Sequence, residues 1–346
     1  MMTKRYRTLF LTDRSPHHQE AARKAAPPAL DLMIRRRPSR DELLTLLPDV
    51  EILISERADT IDAALLAAAP KLQLIQRLGS LTYDIDVAAA QAQGITVCYW
   101  PLRGCIMVAE HMVLQMLSLV KRLAEVKAVA ETAADWGQTA RRTDENTFAY
   151  NWSGRRAIEG LYGQRVGILG FGEIGVELAR RLQPFAPATI FYHKRTRLPV
   201  TVEAALEVVY AAPDELIAQV DFLCLLLPYA AETDHFLNAA RLATMKPGAF
   251  LVSCGSGSVI DEAALAATLR RGALGGAALD TFEWEPLQPD NPLLPLARQP
   301  MMNVVLSPHT AAGAAERKED RGRSSDFANI ERFLAGEPLR YMVAYP

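Results

Sequence analysis

Three glycines, Gly170, Gly172 and Gly175, stand in the stretch GILGFGEIG at the spacing G-x-G-x-x-G. Ahead of them Val166, Ile168 and Leu169 make the short apolar run of a buried parallel strand. Behind them Val176 to Leu182 continues with helical periodicity. Each glycine has a mechanical task. Gly170 permits the tight turn out of the strand, Gly172 lets backbone approach a pyrophosphate, and Gly175 lets the helix pack on the strand. The turn and helix start, which include Phe171, Glu173 and Ile174, then turn amides and a positive dipole end toward the phosphates. Strand, turn and helix in this order predict a dinucleotide site rather than an ordinary glycine turn.

Such a turn works at the carboxyl end of a strand in a parallel sheet, and the surrounding pattern supplies that sheet. After the glycine helix, residues 188–192, 208–210, 222–227, 250–253, 277–279 and 304–306 read as six strands, the alternation a full dinucleotide-binding domain requires. Residues 1–100 also alternate, with strands expected at 8–12, 30–34, 50–55, 72–77 and 95–99. Amphipathic helices lie between them at 41–47 and 61–69, the second starting at Asp59-Thr60. This first unit has no glycine fingerprint. From Val108 to Glu131 the pattern predicts one long helix, richer in Met, Leu and Val than one buried face needs, and therefore a crossover between domains or a dimer seam. Residues 133–160, with Trp136 and Trp152, read as a loop-rich arm, and 321–334 as a helix returning to the first unit.

Composition narrows the function. At 346 residues the chain is too long for one ordinary core, so two domains are expected. Half of it is hydrophobic, 7% is aromatic and the net charge is −2, which speaks against nucleic-acid and membrane-surface partners. Arg35–Arg37, Arg141-Arg142 and Arg155-Arg156 have acids nearby and read as solvated faces. The four cysteines show no C-x-x-C and no metal-ligand pairing with histidine, so no metal is expected. Cys98 and Cys224 sit in apolar runs as buried free thiols, which suits a reducing cytosol. The N-terminal apolar stretch ends at Asp13 and reads as a first strand, not a signal peptide. No apolar run approaches membrane-span length by this reading.

With these pieces placed, the chain resembles the D-isomer-specific 2-hydroxyacid dehydrogenases, the family of formate, D-glycerate, D-lactate and phosphoglycerate dehydrogenases and of glyoxylate/hydroxypyruvate reductases. The blocks that carry the resemblance are GSLTYDIDVAAAQAQGITV (79–97), VAEH (108–111), LYGQRVGILGFGEIG (161–175), VDFLCLLLPYAAETDHFLN (220–238), MKPGAFLVSCGSGSVIDEAAL (245–265), GGAALDTFEWEP (275–286) and NVVLSPHTAAG (303–313). The resemblance implies an α/β protein of two doubly wound parallel-sheet domains. A flavodoxin-like substrate domain, 1–105 plus 310–346, would be split around an inserted Rossmann cofactor domain, 106–309. It implies hydride exchange between a nicotinamide cofactor and a small 2-hydroxy or 2-keto acid. His309 matches the acid/base histidine and Glu285 its carboxylate partner, which fixes the tautomer and stabilises imidazolium. Gly79 and Ser80 match a loop whose backbone amides approach the substrate carboxylate. Asp280 matches a position beside the nicotinamide, and Pro228, Cys254 and Gly255 belong to the same cofactor side. His17-His18, His111 and His235 have no such context.

Two departures from the family pattern shape the expectation. At the end of the second cofactor strand an NAD enzyme places an acid near His193. Here His193, Lys194, Arg195 and Arg197 bring positive charge instead, so NADP(H) is expected to be preferred, with NAD(H) the lesser option. The second departure is at the family arginine that grips the substrate carboxylate. Ser253-Cys254-Gly255-Ser256-Gly257 puts Ser256 there, 29 residues before Glu285 as the family spacing requires. A hydroxyl cannot form a charged two-pronged clamp. Substrate recognition is therefore expected to be altered, with Arg77 or Arg103 as stand-ins. A non-catalytic, cofactor-sensing protein of the same fold is the alternative. A homodimer in the cytoplasm is the expected state.

Overall fold

The computed structural model describes residues 4–56, 60–132, 136–313 and 323–343. The chain divides into two compact units, residues 1–103 with 314–346, and residues 104–313.

The first unit alternates strand and helix. β1 (Tyr6–Thr12), α1 (Pro16–Ala25), β2 (Leu30–Arg36), α2 (Arg40–Leu46), β3 (Ile52–Glu56), α3 (Ala63–Ala67), β4 (Leu74–Leu78), α4 (Val87–Ala92) and β5 (Thr96–Trp100) follow one another. The strands form a parallel sheet in the order β2-β1-β3-β4-β5. Its residues alternate between two cores. Leu9, Leu11, Leu53, Ile75 and Val97 enter one, and Phe10, Ile52, Ile54, Leu74 and Leu78 the other. Each fully buried Leu or Ile contributes about 1.5–3 kcal/mol, which is why such strands read as unbroken apolar runs.

The second core is closed by a segment from the far end of the chain. Phe327 and Ile330, beside and within a helix over Ala328–Leu334, pack against Phe10 and Ile54. Asn329, fully buried, donates to Gln76 Oε1 of β4 at 3.1 Å and to the Arg340 carbonyl at 2.9 Å. Its own Oδ1 accepts from Arg340 N at 2.9 Å, so the buried amide is satisfied. Arg321 and Gly322, in the expected helix, lie outside the described residues.

In the second unit α5 (Arg103–Val120) and α6 (Leu123–Glu131) precede β6 (Arg165–Leu169), α7 (Glu173–Leu182), β7 (Thr189–His193), α8 (Val200–Leu206), β8 (Val208–Tyr210), α9 (Pro213–Gln219), β9 (Phe222–Leu225), α10 (Ala239–Thr244), β10 (Phe250–Ser253), α11 (Glu262–Arg270), β11 (Gly276–Leu279), α12 (Leu294–Ala297) and β12 (Val304–Leu306). The seven strands are parallel, in the order β12-β11-β10-β9-β6-β7-β8. From β6 the chain runs outward one way to β7 and β8, then crosses back to β9 and beyond. The strand order thus reverses at the carboxyl end of β6, where an open sheet of this kind has its binding crevice.

Three expectations need correction. The single helix over 108–131 is two, because Arg122 adopts a left-handed conformation (φ 49°) and ends the ladder. Its guanidinium bonds Glu125 and donates to the Met301 carbonyl at 3.0 Å, which holds the break in place. The helix expected from Asp59-Thr60 starts later, with Asp62 as cap accepting Leu65 N at 3.0 Å, while Asp59 lies outside the described residues. Last, Arg103–Val120 is an 18-residue helix of mean hydropathy 1.3, long and apolar enough by those measures to cross a membrane. Its position accounts for that composition: Val108, Ala109, Met112, Met116, Leu119 and Val120 are buried in the protein.

Candidate active site

The turn between β6 and α7 is shaped by close approach. Gly170 has φ 94°, and a Cβ there would lie 2.5 Å from the Leu226 carbonyl. A Cβ on Gly175 would crowd Phe171 and Ile168 at 3.1 and 3.4 Å, so the glycine lets helix meet strand. Gly172 is different. It is the N-cap of α7, and a Cβ there would meet nothing within 4 Å. The first intrahelical bond runs from Val176 N to Gly172 O at 3.0 Å. The amides of Ile174 and Gly175 therefore precede the ladder and stand at its positive end. Tight backbone on one side and open space on the other make a cradle that fits a pyrophosphate.

Neighbouring strand ends complete the rim. His193 O accepts both Gly170 N and Phe171 N at 3.1 Å, which ties the end of β7 to the glycine turn. Leu226 N donates to Leu169 O at 2.7 Å and Ser256 N to Leu227 O at 2.9 Å, so the segments after β9 and β10 lie side by side. Pro228 follows there, its carbonyl accepting Thr233 Oγ1 at 2.8 Å. Gly255 is pressed on the Leu227 carbonyl, where a Cβ would come within 2.8 Å. Cys254 is half-buried, with Sγ 3.4 Å from Gln115 Oε1 of α5. Burial, then the nearby Asp280 carboxylate, pushes its thiol upward, so it stays protonated.

The basic turn after β7 is not uniform. Arg197 forks onto Glu203, Nε to Oε1 and a terminal nitrogen to Oε2, both at 2.8 Å. That fork holds the Glu203 carboxyl below the usual range. Tyr192 donates to the same carboxylate at 2.6 Å and accepts Leu198 N at 2.9 Å. Arg197 is thus engaged inside the turn. Arg195 is exposed, Lys194 is half-buried, and His193 contacts the Ala211 carbonyl through Nδ1 at 3.1 Å.

His309 and Glu285 come together from loops after β12 and β11. His309 Nδ1 lies 2.7 Å from Glu285 Oε2, while Glu285 Oε1 accepts Phe282 N at 3.1 Å. A carboxylate accepts only, so Nδ1 carries the hydrogen and Nε2 is left to exchange a proton. His309 has φ 54°, an uncommon state for a residue with a side chain. Asp280, 1% exposed, holds the loop in that state. Its carboxylate accepts Ser307 Oγ (2.6 Å), Thr310 N (3.0 Å) and Ala311 N (2.8 Å), and its carbonyl accepts His309 N (2.8 Å). His111 on α5 reaches Ser307 Oγ at 3.0 Å, a contact with no signal in the sequence. Ser256 caps a short turn with extended backbone (φ −71°, ψ 135°) and no side-chain capping bond. Beside it a Cβ on Gly257 would fall 1.9 Å from Phe282 backbone, so the loops bearing Ser256 and Glu285 are in contact.

The first unit places the remaining expected residues. Arg77 is buried, its Nε on both Asp84 oxygens (3.2 and 2.9 Å) and a terminal nitrogen on the Leu78 carbonyl. This internal pairing weighs against Arg77 as a substitute clamp. Gly79 has φ 131° and gives its amide to the Trp100 carbonyl at 2.9 Å, so that N–H is already engaged; Ser80 beside it is buried. Arg103 is exposed at the start of α5.

Known proteins are similar to this chain in sequence and fold. The family description "D-isomer specific 2-hydroxyacid dehydrogenase, NAD binding domain" matches residues 113–311. Glyoxylate reductase from Thermofilum pendens is 34% identical over 304 residues, 87% of this chain and 83% of that protein. D-3-phosphoglycerate dehydrogenase from Mycobacterium leprae is 32% identical over 302 residues, 87% of this chain and 52% of its own length. The chain thus spans about half the length of that relative. The crystal structure of a protein from Pyrococcus horikoshii OT3 aligns over 98% of this chain and 95% of that one, with TM-score 0.56 and 30% identity. With more than half of its length inside the family description and glycine turn, sheet order and His309 loop in place, the chain belongs to the D-isomer specific 2-hydroxyacid dehydrogenases.

Proposed function

We propose that this chain exchanges hydride between NADP(H) and a small 2-hydroxy or 2-oxo acid, with substrate recognition altered at Ser256. The observation that carries the reading is the 2.7 Å contact of His309 Nδ1 with Glu285, which leaves Nε2 as the proton-exchanging atom. In reduction His309 gives that proton to the carbonyl oxygen, and in oxidation it takes the hydroxyl proton. Glu285 stabilises the imidazolium and fixes the ring. A bound nicotinamide dinucleotide supplies or accepts the hydride. Gly170, Phe171, Gly172, Glu173, Ile174 and Gly175 would hold its pyrophosphate, with Pro228, Cys254, Gly255 and Asp280 along the same rim. The relatives named glyoxylate reductase and D-3-phosphoglycerate dehydrogenase support small oxygenated acids as the substrate class.

Preference for NADP(H) is supported by the absence of any acid from Ile190 to Arg197. Arg197 is paired to Glu203, and Lys194 and Arg195 add positive charge in the same turn, where a 2′-phosphate would be read. Cysteines outside any disulfide favour a reducing compartment such as the cytoplasm. Exposed Phe148, Tyr150 and Tyr162 in and beside the arm support a homodimer.

The test uses His309→Asn and cofactor titration. Turnover of glyoxylate or hydroxypyruvate should fall 10²–10⁴-fold while the NADPH dissociation constant stays within about twofold. NADPH should bind at least about tenfold tighter than NADH, less so at high salt. Turnover within about threefold of the parent removes His309 from the mechanism, and equal affinities remove the cofactor preference.

A further inference from the structure

The contact between α5 and the His309 loop has a direction. Ser307 Oγ lies 2.6 Å from Asp280 Oδ1 and 3.0 Å from His111 Nε2. A serine hydroxyl has one hydrogen, and the shorter contact, to a carboxylate, takes it. His111 must then be the donor, with its hydrogen on Nε2. The chain of donation runs from His111 to Ser307 to Asp280. At its end Asp280 accepts the amides of Thr310 and Ala311, and its carbonyl accepts that of His309.

This matters because the loop is held against its own preference. A left-handed residue with a side chain is destabilised locally and persists only where its surroundings impose it. The imposing group is Asp280, whose Oδ1 is shared between Ser307 and Thr310. His111, 19% exposed in its side chain and 3.7 Å from the same oxygen, steers the Ser307 hydroxyl toward it.

We infer that His111 is a positioning residue for His309: through Ser307 and Asp280 it fixes the 307–311 loop from which His309 reaches its reacting partner. The inference rests on the reading of His309 as proton carrier. It is not a statement about core filling. A histidine that merely occupied volume would be replaceable by any ring of similar size, whereas a donor is replaceable only by another donor.

The experiment compares His111→Phe, His111→Gln and Ser307→Ala with the parent protein and with His309→Asn. Phenylalanine keeps volume without a donor, and glutamine keeps a donor. Hydrogen exchange over residues 303–313 should quicken at least about tenfold in His111→Phe and Ser307→Ala, and stay within about threefold in His111→Gln. On glyoxylate, kcat should fall about ten- to hundredfold in His111→Phe, with the cofactor KM nearly unchanged and glutamine restoring most of the loss. The NADPH dissociation constant, close to the parent's in all variants, reports intact folding. Unchanged exchange in His111→Phe, or glutamine behaving as phenylalanine does, overturns the proposal. If His309→Asn keeps its turnover, the proton-carrier reading falls, and exchange still decides whether His111 holds the loop. If glyoxylate is not turned over by the parent, exchange and the glutamine rescue of exchange decide alone.

Discussion

Restoring a guanidinium at Ser256 is the change with the most to say about substrate recognition. The backbone there is extended, so an arginine enters without strain, and the serine side chain has no capping bond to lose. Gly257 against Phe282 keeps the position beside the loop of Glu285. A charged hydrogen bond contributes about 1.5–3 kcal/mol, equivalent to about ten- to hundredfold in binding. Ser256 is half-exposed, so water screens the new charge and the ground-state gain should sit near the lower figure. A donor that tightens as charge develops on the carbonyl oxygen adds up to about 10²–10³ in rate. Ser256→Arg should therefore raise kcat/KM on glyoxylate and hydroxypyruvate by about ten- to a thousandfold, with NADPH affinity unchanged. Steady-state NADPH oxidation across a concentration series of both acids separates the two contributions. A change below about threefold, with the variant folded and binding NADPH, would refute the reasoning and locate the carboxylate clamp elsewhere. Arg103→Ala is then the informative partner, since Arg77 is held by Asp84.

Assembly and pH give two further tests. Light scattering at micromolar concentration should report twice the chain mass, and a monomer would count against the dimer. Glu262 is buried, accepting Glu283 N at 3.0 Å and Asn291 Nδ2 at 2.5 Å, and burial raises its carboxyl above the ordinary range. A raised native pKa means stability that is complete below the unfolded value, about 4.3, and is lost as pH rises through the native one. The Tm difference between Glu262→Gln and the parent should therefore move in the variant's favour from pH 4 to pH 8, whatever the variant loses in hydrogen bonding. A difference that is flat with pH, or moves the other way, contradicts the burial argument.

The strands were legible because both faces of each sheet are covered. Val208–Tyr210, Phe250–Ser253 and Val304–Leu306 fall where their apolar runs place them. The glycine turn was legible for a related reason, since a Cβ at Gly170 would meet the Leu226 carbonyl at 2.5 Å and one at Gly175 would crowd Phe171 at 3.1 Å. What escaped depends on conformations and partners that spacing does not encode. Arg122 breaks α5 from α6 in a left-handed state without glycine or proline to announce it. Arg197 counts as a phosphate reader until α8 folds back and brings Glu203 to its guanidinium. His111 sits on an apolar helix like any core residue, and its partner Ser307 is 196 positions away.

The Asn329–Gln76 bond has a consequence for how the protein is made. β1 to β5 leave the ribosome before residues 104–313, yet one face of their sheet waits for Phe327, Asn329 and Ile330. Between the two events the whole of residues 104–313 is synthesised. At a translation rate of about 5–20 residues per second, that leaves Phe10, Ile54 and the Gln76 amide without their final neighbours for on the order of 10–40 s. The inserted unit, continuous in sequence, can complete its core before the split unit does. Synthesis of the early sheet and completion of its second core are thus separated by that interval, during which its apolar face gives a chaperone something to hold.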